Sequence, residues 1–573
     1  MLVGKKKKRI GIVGGGPSAL FAFKRLIESG STDFEIIIFE KNKRLGAGMP
    51  YSADGANKEH ITNVSDHEVP DIVTPIKKWV KKAPAKLLKQ FHIDRKKFNT
   101  HHVLPRLLFG HYLSDQFDLL LNKAKKRGIK TSVFFQSRVN DISYNKKKEQ
   151  ATIYIEGKKP KQVDFAIICT GHHWRITHEG KVPGYFDSPY PPSKLAIKFN
   201  HPVALKGSSL TAIDAIRTLA RQCGTFGRDK RGDLIYRADE DCPQFKLILH
   251  SRNGLLPSVR FYTEDPQQSN TDLLTRKEIA NHISKNNGFL SLDFIFKKDF
   301  KELLKKKSPQ FYTRIKKLRM EEFVDAMMEF REKMEPFQLL EKEYEEAKES
   351  KRRKESIHWK ELLSILSFAM NYPAKYFSAE DMQRLKEKLM PLISIIIAFV
   401  PQSSCEELLA LHRVGRLELI PVGEESVVSI SKKKEILYRY YLEGKQEEIV
   451  YKTFIDCTGQ PHLAYEDFTF KSLLKNKNIS PAYLQFRNPK NGKKAFNKKN
   501  KELKKEANEY YLKVPGIAIN DAFQIIDKKD IPNKRIYMMA VPYMGGYNPD
   551  YSGLDFCYKA SDHVVSSILN ELI

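Results

Sequence analysis

The chain opens with a short apolar stretch, a glycine-rich turn and an amphipathic helix. Residues 9–13 (RIGIV) predict a buried strand, and after GGGPSA the apolar residues recur at helical spacing to about Glu28. Residues 33–41 (DFEIIIFEK) predict the next strand. A strand, a turn, a helix and a second strand within about 30 residues are typical of the first unit of a doubly wound α/β sheet.

A second unit of this kind begins at residue 201. Residues 201–222 (HPVALKGSSLTAIDAIRTLARQ) predict a strand, a turn and a helix, and residues 246–254 (KLILHSRNG) predict the next strand. Between the two units, residues 110–128 predict an amphipathic helix that ends at a glycine, and residues 131–145 and 150–157 alternate like antiparallel strands. Residues 163–171 (VDFAIICTG) predict a buried strand that ends in a glycine turn.

The rest of the chain changes to helices and then back to strands. Residues 272–400 are rich in charge and follow a helical pattern with few breakers, which predicts an inserted helical subdomain. Strand patterns return between residues 417 and 459. Residues 535–573 predict a strand, a glycine-rich turn and a final helix.

The first glycine turn fits the G-x-G-x-x-A pattern of a dinucleotide-binding site. Gly14 permits a tight turn, Gly16 lets the backbone approach a pyrophosphate, and Ala19 lets the helix pack on the sheet. The helix N-terminus offers free N–H groups to the phosphates. Glu40 closes the second strand 24 residues after Gly16, where a carboxylate can accept both ribose hydroxyls. The cofactor contacts predicted here are Gly14, Gly16, Pro17, Ser18, Ala19, Glu40 and Lys41.

The position of this turn at the start of the chain, with a distant return strand, favours FAD over NAD. Two Cys-Thr-Gly triplets, at residues 169–171 and 457–459, agree with FAD, because such turns mark chain crossings between the FAD and NAD(P) domains of flavoproteins with two dinucleotide sites. The candidate cofactor contacts in these triplets are Thr170, Gly171, Thr458 and Gly459.

The second glycine turn departs from the dinucleotide pattern at one position. Residues 207–212 (GSSLTA) have the form G-x-S-x-x-A, and the Ser209 side chain narrows the approach of a pyrophosphate. Arg252 ends the following strand, where an arginine rather than an acid can pair with a 2′-phosphate. We therefore expect an NADPH site, with NADH and a non-binding relic as the alternatives. Its candidate contacts are Gly207, Ser208, Ser209 and Arg252.

Composition restricts the remaining classes of protein. Lys+Arg 99 against Asp+Glu 69 gives a net charge of +30, which is compatible with an anionic substrate. The lysine runs are scattered and no nucleic-acid-binding signature is present, so we expect no nucleic-acid partner. The longest apolar run, Leu392–Pro401, is shorter than the roughly 20 residues that a membrane span needs. Six cysteines without a C-x-x-C spacing argue against a disulfide-built secreted domain and a zinc knuckle, and we expect a cytoplasmic enzyme without a metal site.

Seven segments carry a resemblance to a known family. They are, in order, GIVGGGPSAL (11–20), RLGAGMPYS (44–52), HITNVSD (60–66), HVLPRLLFGHYL (102–113), ALKGSSLTAID (204–214), SRNGLLP (251–257) and LHRVGRLEL (411–419). With them the sequence resembles the FAD-NAD(P)-binding family of flavoproteins, distantly similar to class B flavin monooxygenases, some of which hydroxylate an amino group with NADPH and O₂. The resemblance implies that the flavin region is lined by Gly48, Met49, Tyr51 and His60.

The same resemblance implies two catalytic residues. Asn63 either hydrogen-bonds a flavin C4a-hydroperoxide or caps a turn, and Arg106 either faces FAD or makes a surface salt bridge. Residues 542–554 (PYMGGYNPDYSGL) are expected to close over the flavin, although Ala540-Val541 replace the Gly-Asp pair common there. The candidate contacts in this closing segment are Gly545, Gly546, Ser552, Gly553 and Leu554.

The expected fold is an α/β flavoprotein with two dinucleotide-binding domains and a helical insertion. Its Rossmann-like FAD domain is split between residues 1–200 and 457–573, the NAD(P)-binding domain takes residues 201–271 and 391–456, and residues 272–390 form the insertion. The expected activity is an FAD-dependent, NADPH-using monooxygenase that hydroxylates a small amine or amino acid through a flavin C4a-hydroperoxide. The alternatives are an NAD(P)H-dependent flavin reductase or dehydrogenase without oxygen insertion, and a flavin-bound sensor that binds a partner through the insertion.

Overall fold

A computed structural model describes residues 7–264, 273–371, 373–497, 501–549 and 553–572. It contains a six-stranded and a five-stranded sheet, both built on parallel pairs, together with smaller antiparallel sheets and a helical region. The predicted α/β class with Rossmann-like units and an added helical region is confirmed. Within the described residues, no helix is both long and apolar enough to cross a bilayer.

The N-terminal part holds most of the six-stranded sheet. Its strands are β1 (Lys8–Val13), β2 (Phe34–Phe39), β3 (Ile61–Ser65), β4 (Val103–Pro105), β5 (Thr131–Phe134), β6 (Val139–Asn145), β7 (Gln150–Ile155), β8 (Lys161–Val163) and β9 (Phe165–Ile168), and its helices are α1 (Pro17–Glu28), α2 (Ile76–Lys82), α3 (Ala85–Gln90) and α4 (Arg106–Lys126). Strand β1 pairs in parallel with β2 on one side and β9 on the other, and β5 lies outside β2.

One interpretation of the N-terminal pattern is wrong in part. Residues 131–145 and 150–157 were expected to be antiparallel strands, which is correct for β6 and β7 but not for residues 131–134. Strand β5 extends the parallel sheet beside β2, whereas β6 begins a separate antiparallel sheet with β7 and β8. A short apolar run alternates in the same way whether its neighbour is parallel or antiparallel, so periodicity could not decide the pairing.

The second parallel sheet repeats the arrangement of the first. Its strands and the neighbouring hairpins are β10 (Tyr185–Phe186), β11 (Pro202–Lys206), β12 (Gly224–Arg228), β13 (Leu234–Ala238), β14 (Lys246–Ser251), β15 (Leu417–Pro421), β16 (Val427–Ile430), β17 (Ile436–Leu442), β18 (Lys445–Tyr451) and β19 (Thr453–Asp456), with helix α5 (Leu210–Gln222) after β11. The order is β10-β19-β11-β14-β15, so β11 lies between β19 and β14 as β1 lies between β9 and β2.

The helical insertion lies between β14 and β15. Its helices are Arg276–Lys285, Leu292–Ile295, Leu303–Lys307, Pro309–Ile315, Met320–Glu332, Pro336–Arg353, His358–Met370, Ala379–Arg384 and Met390–Ile396, with π-helical turns at Phe296–Glu302 and Leu385–Leu389. The helix Gln402–Arg413 follows the insertion and packs in the core of the second parallel sheet. The apolar core of the insertion, which includes Phe300, Leu366 and Ile393, is continuous with Leu484 and Leu512 of the C-terminal part. The insertion therefore shares a core with the C-terminal part.

The C-terminal part returns to the first sheet. Its strands are β20 (Pro481–Gln485), β21 (Leu503–Glu506), β22 (Glu509–Ile517), β23 (Gln524–Ile526) and β24 (Pro532–Met538), and its helices are Lys471–Lys475, Pro489–Asn497 and Leu554–Asn570. Strand β24 pairs in parallel with β9 and completes the six-stranded sheet, while β20, β22 and β21 form the small sheet that meets the insertion. The final helix, Leu554–Asn570, packs along α1.

Candidate functional site

The first glycine turn lies where the strand order of the six-stranded sheet changes direction. Gly14 adopts a φ of +100°, and a Cβ atom there would lie 2.6 Å from the carbonyl oxygen of Cys169 at the end of β9. Gly16 caps α1 without a side-chain hydrogen bond, which leaves the helix N-terminus open to a ligand. Crevices at such switch points are where open α/β sheets bind their ligands.

The carboxylate of Glu40 closes the first turn on one side. It is 6% exposed, and its Oε2 accepts the Gly15 N–H at 2.7 Å while its Oε1 accepts the Asn42 N–H at 2.7 Å. Each oxygen keeps one lone-pair direction for a further donor such as a ribose hydroxyl. Glu40 therefore has a structural role in the turn besides the binding role predicted for it.

A cleft of about 570 Å³ opens beside Glu40. It is lined by residues from the strand ends and from the first crossing segment, among them Lys41, Asn42, Met49, Gln136, Arg138, His172, Trp174 and Tyr190. Gly171, at the entrance to that segment, is exposed and a Cβ atom there would meet nothing within 4 Å. Polar groups and an open glycine beside a dinucleotide turn suit the adenosine half of FAD, so the residues present fit this cofactor.

The turn at residues 46–51 lies between α1 and α4. A Cβ atom at Gly48, where φ is +58°, would lie 3.1 Å from Pro17, and one at Gly110 would overlap the carbonyl oxygen of Tyr51. The Tyr51 ring contacts Phe109 edge-on with 4.9 Å between centroids. The predicted contacts Gly48, Met49 and Tyr51 are thus brought next to the N-terminus of α1.

The second glycine turn copies the first in detail. Gly207 has a φ of +104°, and its Cβ atom would lie 2.9 Å from the carbonyl oxygen of Cys457 at the end of β19. Ser209 caps α5, is exposed, and makes no side-chain cap hydrogen bond, whereas Ser208 Oγ donates to the Leu255 carbonyl at 2.7 Å. Ser208 therefore offers its backbone rather than its hydroxyl to a ligand.

The other predicted contacts of the second site lie around the same sheet edge. Arg252 follows β14 with its side chain 55% exposed and 3.6 Å from Glu424, which leaves it accessible to a 2′-phosphate. A Cβ atom at Gly459 would lie 3.6 Å from Thr211 Oγ1 of α5. The Thr458 hydroxyl donates to Asp456 at 2.6 Å, so its proton is engaged within the turn.

The two Cys-Thr-Gly triplets mark the two crossings between the parallel sheets. The chain leaves the first sheet after β9 and returns from the second sheet after β19. The two crossings are joined by one side chain, because Gln460 Oε1 accepts the His173 N–H at 2.6 Å and Gln460 Nε2 donates to the His173 carbonyl at 2.9 Å. Gln460 was not predicted, since a single glutamine outside a motif carries no sequence pattern.

A buried ion pair joins the two dinucleotide-binding units. Arg106, the first residue of α4, donates to Asp214 of α5 at 2.5 Å, and Tyr190 donates its hydroxyl proton to the same carboxylate at 2.6 Å. The side chain of Arg106 is 16% exposed and that of Asp214 is 6% exposed. Burial alone would raise the pKa of Asp214, but the charge of Arg106 and the hydrogen bond from Tyr190 outweigh burial and hold it below its usual range. Arg106 also donates to the Ile61 carbonyl, so its guanidinium holds protein groups together.

His60 belongs to the same contact between units. Its Nδ1 accepts the Asn57 N–H at 3.2 Å, and its Nε2 lies 3.1 Å from the Asp214 carbonyl and 2.9 Å from Thr218 Oγ1. A carbonyl can only accept, so these partners assign the neutral tautomer with hydrogen on Nε2. Burial lowers the pKa of His60, which agrees with a neutral ring. The side chain expected to line the flavin region thus contacts α5.

Asn63 lies in the middle of β3, half-buried, next to this contact. Within the described residues its side-chain amide makes no hydrogen bond, which leaves it available to a ligand. Its carbonyl accepts from Arg260, a 3% exposed residue that also pairs with Glu68 and donates to Ser65 at 2.9 Å. Arg260 therefore fixes the strand that carries Asn63.

Two glycines of the closing segment are packed closely within the protein. The Gly546 N–H donates to the Pro515 carbonyl at 2.7 Å, and a Cβ atom at Gly545 would overlap the His462 ring. Both glycines are buried, so close packing within the protein explains them. Gly553 caps the final helix, is exposed and has nothing within 4 Å of its ideal Cβ, and Leu554 is 7% exposed. Ser552 lies outside the described residues.

Three further residues at the site were missed by the sequence analysis. Gln136 and Arg138 follow β5, whose end meets the end of β2 because parallel strands finish at the same sheet edge. The mistaken antiparallel pairing concealed this position. Asp214 carried a usable signal, since an acid between Ile213 and Ala215 on an apolar helix face needs a partner.

Two family models match the chain. Residues 11–173 match the FAD-NAD(P)-binding family, and residues 275–397 match the YdhS-like middle domain. The first match confirms the predicted resemblance and the prediction of FAD with a nicotinamide cofactor. The second match falls on the helical insertion.

Comparisons with whole proteins extend these matches. The protein YdhS of Escherichia coli (strain K12), described as uncharacterized, is 27% identical over 471 residues, which cover 81% of this chain and 86% of YdhS. Among solved structures, the ornithine hydroxylase PvdA from Pseudomonas aeruginosa has a TM-score of 0.50 and 11% identity, covering 99% of this chain and 100% of PvdA. The ornithine N-hydroxylase KtzI of Kutzneria sp. 744 has a TM-score of 0.44 and 12% identity, with 99% of each chain covered. The likeness to PvdA shows a shared fold.

Proposed function

We propose that the protein is an FAD- and NADPH-dependent monooxygenase that hydroxylates a small amine or amino acid, on the premise that residues 11–173 match the FAD-NAD(P)-binding family. When bound in this chain, FAD would supply the redox chemistry of the reaction, which takes a hydride from NADPH and transfers one oxygen atom of O₂ to the amine. The balanced reaction consumes NADPH, a proton, O₂ and the amine, and yields NADP⁺, water and the hydroxylamine. The fold shared with PvdA, an ornithine hydroxylase, supports this choice.

The observation that carries the proposal is the position of α5. Its N-terminus is the predicted pyrophosphate site of NADPH, and Asp214, five residues further, is clamped to Arg106 beside β3. Five residues of α-helix span about 7.5 Å. The second dinucleotide would therefore bind next to the strand that carries Asn63, which suits transfer of a hydride between two cofactors in one chain.

The chain's own residues would position the cofactors. Gly14, Gly16 and the N-terminus of α1 would hold the diphosphate of FAD, and Glu40 its ribose. Gly207 and the N-terminus of α5 would hold the diphosphate of NADPH, with Arg252 at its 2′-phosphate. Arg106 acts as a positioning residue through Asp214.

Asn63 is the proposed catalytic residue. Its side-chain amide can donate one hydrogen bond and accept another at the flavin region, so it can orient the substrate or the reacting oxygen. The six cysteines are all buried and none forms a disulfide, which favours oxygen transfer over thiol–disulfide chemistry.

The test measures NADPH oxidation and product together. FAD-loaded protein is supplied with NADPH, isotopically labelled O₂ and a panel of ornithine, lysine, cadaverine and apolar amino acids. We expect at least one amine to stimulate NADPH oxidation and to yield a product that carries one labelled oxygen atom. NADPH oxidation that produces only hydrogen peroxide with every amine, or that passes electrons only to added flavin or dye, would contradict the proposal and favour a reductase.

A variant pair tests the residue roles in the same assay. Asn63→Ala should leave reduction of FAD by NADPH unchanged and shift the outcome from hydroxylated product towards hydrogen peroxide. Asn122→Ala, an exposed asparagine on α4, is the matched control and should leave both unchanged. Equal coupling in the two variants would remove Asn63 from the mechanism.

A further inference from the structure

A pocket of about 350 Å³ lies between the helical insertion and the final helix. The insertion contributes Leu274, Ile279, Ile295 and Phe368, and the C-terminal part contributes Phe523, Phe556 and Ala560. None of the predicted FAD or NADPH contacts lines it. Its volume falls in the range of small-molecule sites, which are apolar cavities with a few placed polar groups.

Two cationic side chains line this pocket. Lys559 Nζ lies 4.0 Å from the centroid of the Phe368 ring, and no carboxylate of the described residues lies within salt-bridge distance of it. Burial lowers the pKa of Lys559, an effect that Asp555 partly offsets. Arg276 Nη2 lies 2.7 Å from His563 Nε2. Because burial and the charge of Arg276 lower the pKa of His563 to about 4, the imidazole is neutral at pH 7.

One acid opposes these cations. Asp299, 3% exposed, lies on the π-helical turn Phe296–Glu302 and accepts the Leu274 N–H at 2.9 Å. Burial, with smaller contributions from Glu278 and Glu302, outweighs that hydrogen bond and the charge of Lys298 and raises the pKa of Asp299 to about 6. Among the described residues that line the pocket, Lys559 and Arg276 carry the cationic groups and Asp299 the carboxylate, on walls that are otherwise mostly apolar.

We propose that this pocket binds a small carboxylate with an apolar body, its charged end held by Lys559 and Arg276. The apolar body packs between Phe368 and Phe556, where aliphatic and aromatic walls from two parts of the chain face each other. The site is separate from the dinucleotide turns, and its occupancy does not depend on the activity proposed above.

The experiment compares three probes that differ only in their end group. Binding of octanoate, octylamine and octanol to the oxidised, FAD-loaded full chain is measured by isothermal titration calorimetry without NADPH, so the result is independent of whether any amine is hydroxylated. We expect octanoate to bind at least about ten-fold more tightly than the other two, since a charge-assisted contact accounts for that factor.

Variants locate the binding in the pocket. Lys559→Gln should weaken octanoate about ten-fold, Lys559→Arg should retain binding, and Asp299→Asn, which keeps an acceptor for the Leu274 N–H, should tighten it. Lys125→Gln on the exposed end of α4 makes the same charge change elsewhere and should have no effect. Absorbance of bound FAD in every variant verifies folding.

Three results would overturn the proposal. They are equal binding of all three probes, octanoate binding that Lys559→Gln leaves unchanged, and tightest binding of octylamine. The last would assign the pocket to a cation held by Asp299.

Discussion

The buried pair between Arg106 and Asp214 gives the sharpest test of how the two dinucleotide-binding units are held together. The perturbation is a double-mutant cycle of Arg106→Met, Asp214→Leu and the combined variant. Each single substitution leaves the other charge buried without its partner, whereas the combined variant replaces both with apolar groups of similar size.

The expected magnitudes follow from burial. Removing one partner of a buried ion pair costs about 3–5 kcal/mol, while replacing both often costs little. Unfolding entropy is about 2.1 cal/mol/K per residue, so if the 573 residues unfold together such a loss lowers Tm by about 2.5–4 °C. The single variants should therefore each be destabilised, and the combined variant should recover most of the loss.

Two assays measure the effects of the substitutions in the double-mutant cycle. Thermal or urea unfolding at fixed FAD concentration gives the stabilities, and steady-state NADPH oxidation gives KM. Because the pair holds α5 against β3, we expect each single variant to raise KM for NADPH several-fold while its FAD content stays near that of the parent. Arg106 acting at the flavin itself would instead change FAD content or kcat in Arg106→Met but not in Asp214→Leu.

The sign of the pH dependence follows from the lowered pKa of Asp214. A carboxyl whose pKa is lower folded than unfolded stabilises the protein above its unfolded pKa of about 3.9, and this contribution is lost as pH falls through the folded pKa. The stability advantage of the parent over Asp214→Leu should thus be constant from pH 7 to 5 and shrink below about pH 4. Single variants that each cost under about 1 kcal/mol, or a combined variant whose cost is the sum of theirs, would refute the buried-pair account.

Three further predictions concern the dinucleotide turns. Gly14→Ala places a Cβ atom 2.6 Å from the Cys169 carbonyl and should reduce bound FAD at least ten-fold by flavin absorbance, whereas Gly128→Ala, at a φ of +70° with nothing within 4 Å, carries the backbone strain alone and should keep FAD. Gly207→Ala, 2.9 Å from the Cys457 carbonyl, should stay yellow but raise KM for NADPH at least ten-fold, and an unchanged KM would remove the second turn as the NADPH site. Arg252→Gln should raise KM for NADPH about ten-fold and leave KM for NADH unchanged, as steady-state kinetics with both donors would measure.

The parts predicted well from sequence are those set by local backbone geometry. Gly14 and Gly207 each have a positive φ, and each lies against a carbonyl oxygen that leaves no room for a Cβ atom. The glycine patterns that predict both features span only a few adjacent residues. The Cys-Thr-Gly triplets were informative for the same reason, since each carbonyl of Cys169 and Cys457 packs on one of those glycines. Local backbone geometry was therefore enough to predict the glycine turn after the central strand of each parallel sheet and the two chain crossings between the sheets.

The parts missed depend on contacts between distant segments. Arg106 and Asp214 are 108 residues apart, and no sequence pattern near either residue predicts that the other is its partner. His60 was expected at the flavin because its neighbours resemble the family, yet its ring is satisfied by Asn57 and α5. The glycines at 545 and 546 were interpreted as donors, although close packing on His462 and Val514 accounts for them equally well.

The shared core of the helical insertion has a consequence for synthesis of the chain. Its apolar residues up to Ile396 are covered in part by β20 and β22, whose last residue in this core is Val514, 118 positions after Ile396. At about 5–20 residues per second, a ribosome takes roughly 6–24 s to make that stretch. During this interval the apolar face of the insertion stays exposed to solvent on the nascent chain. Truncation before β22 should therefore yield aggregates rather than a shorter soluble protein.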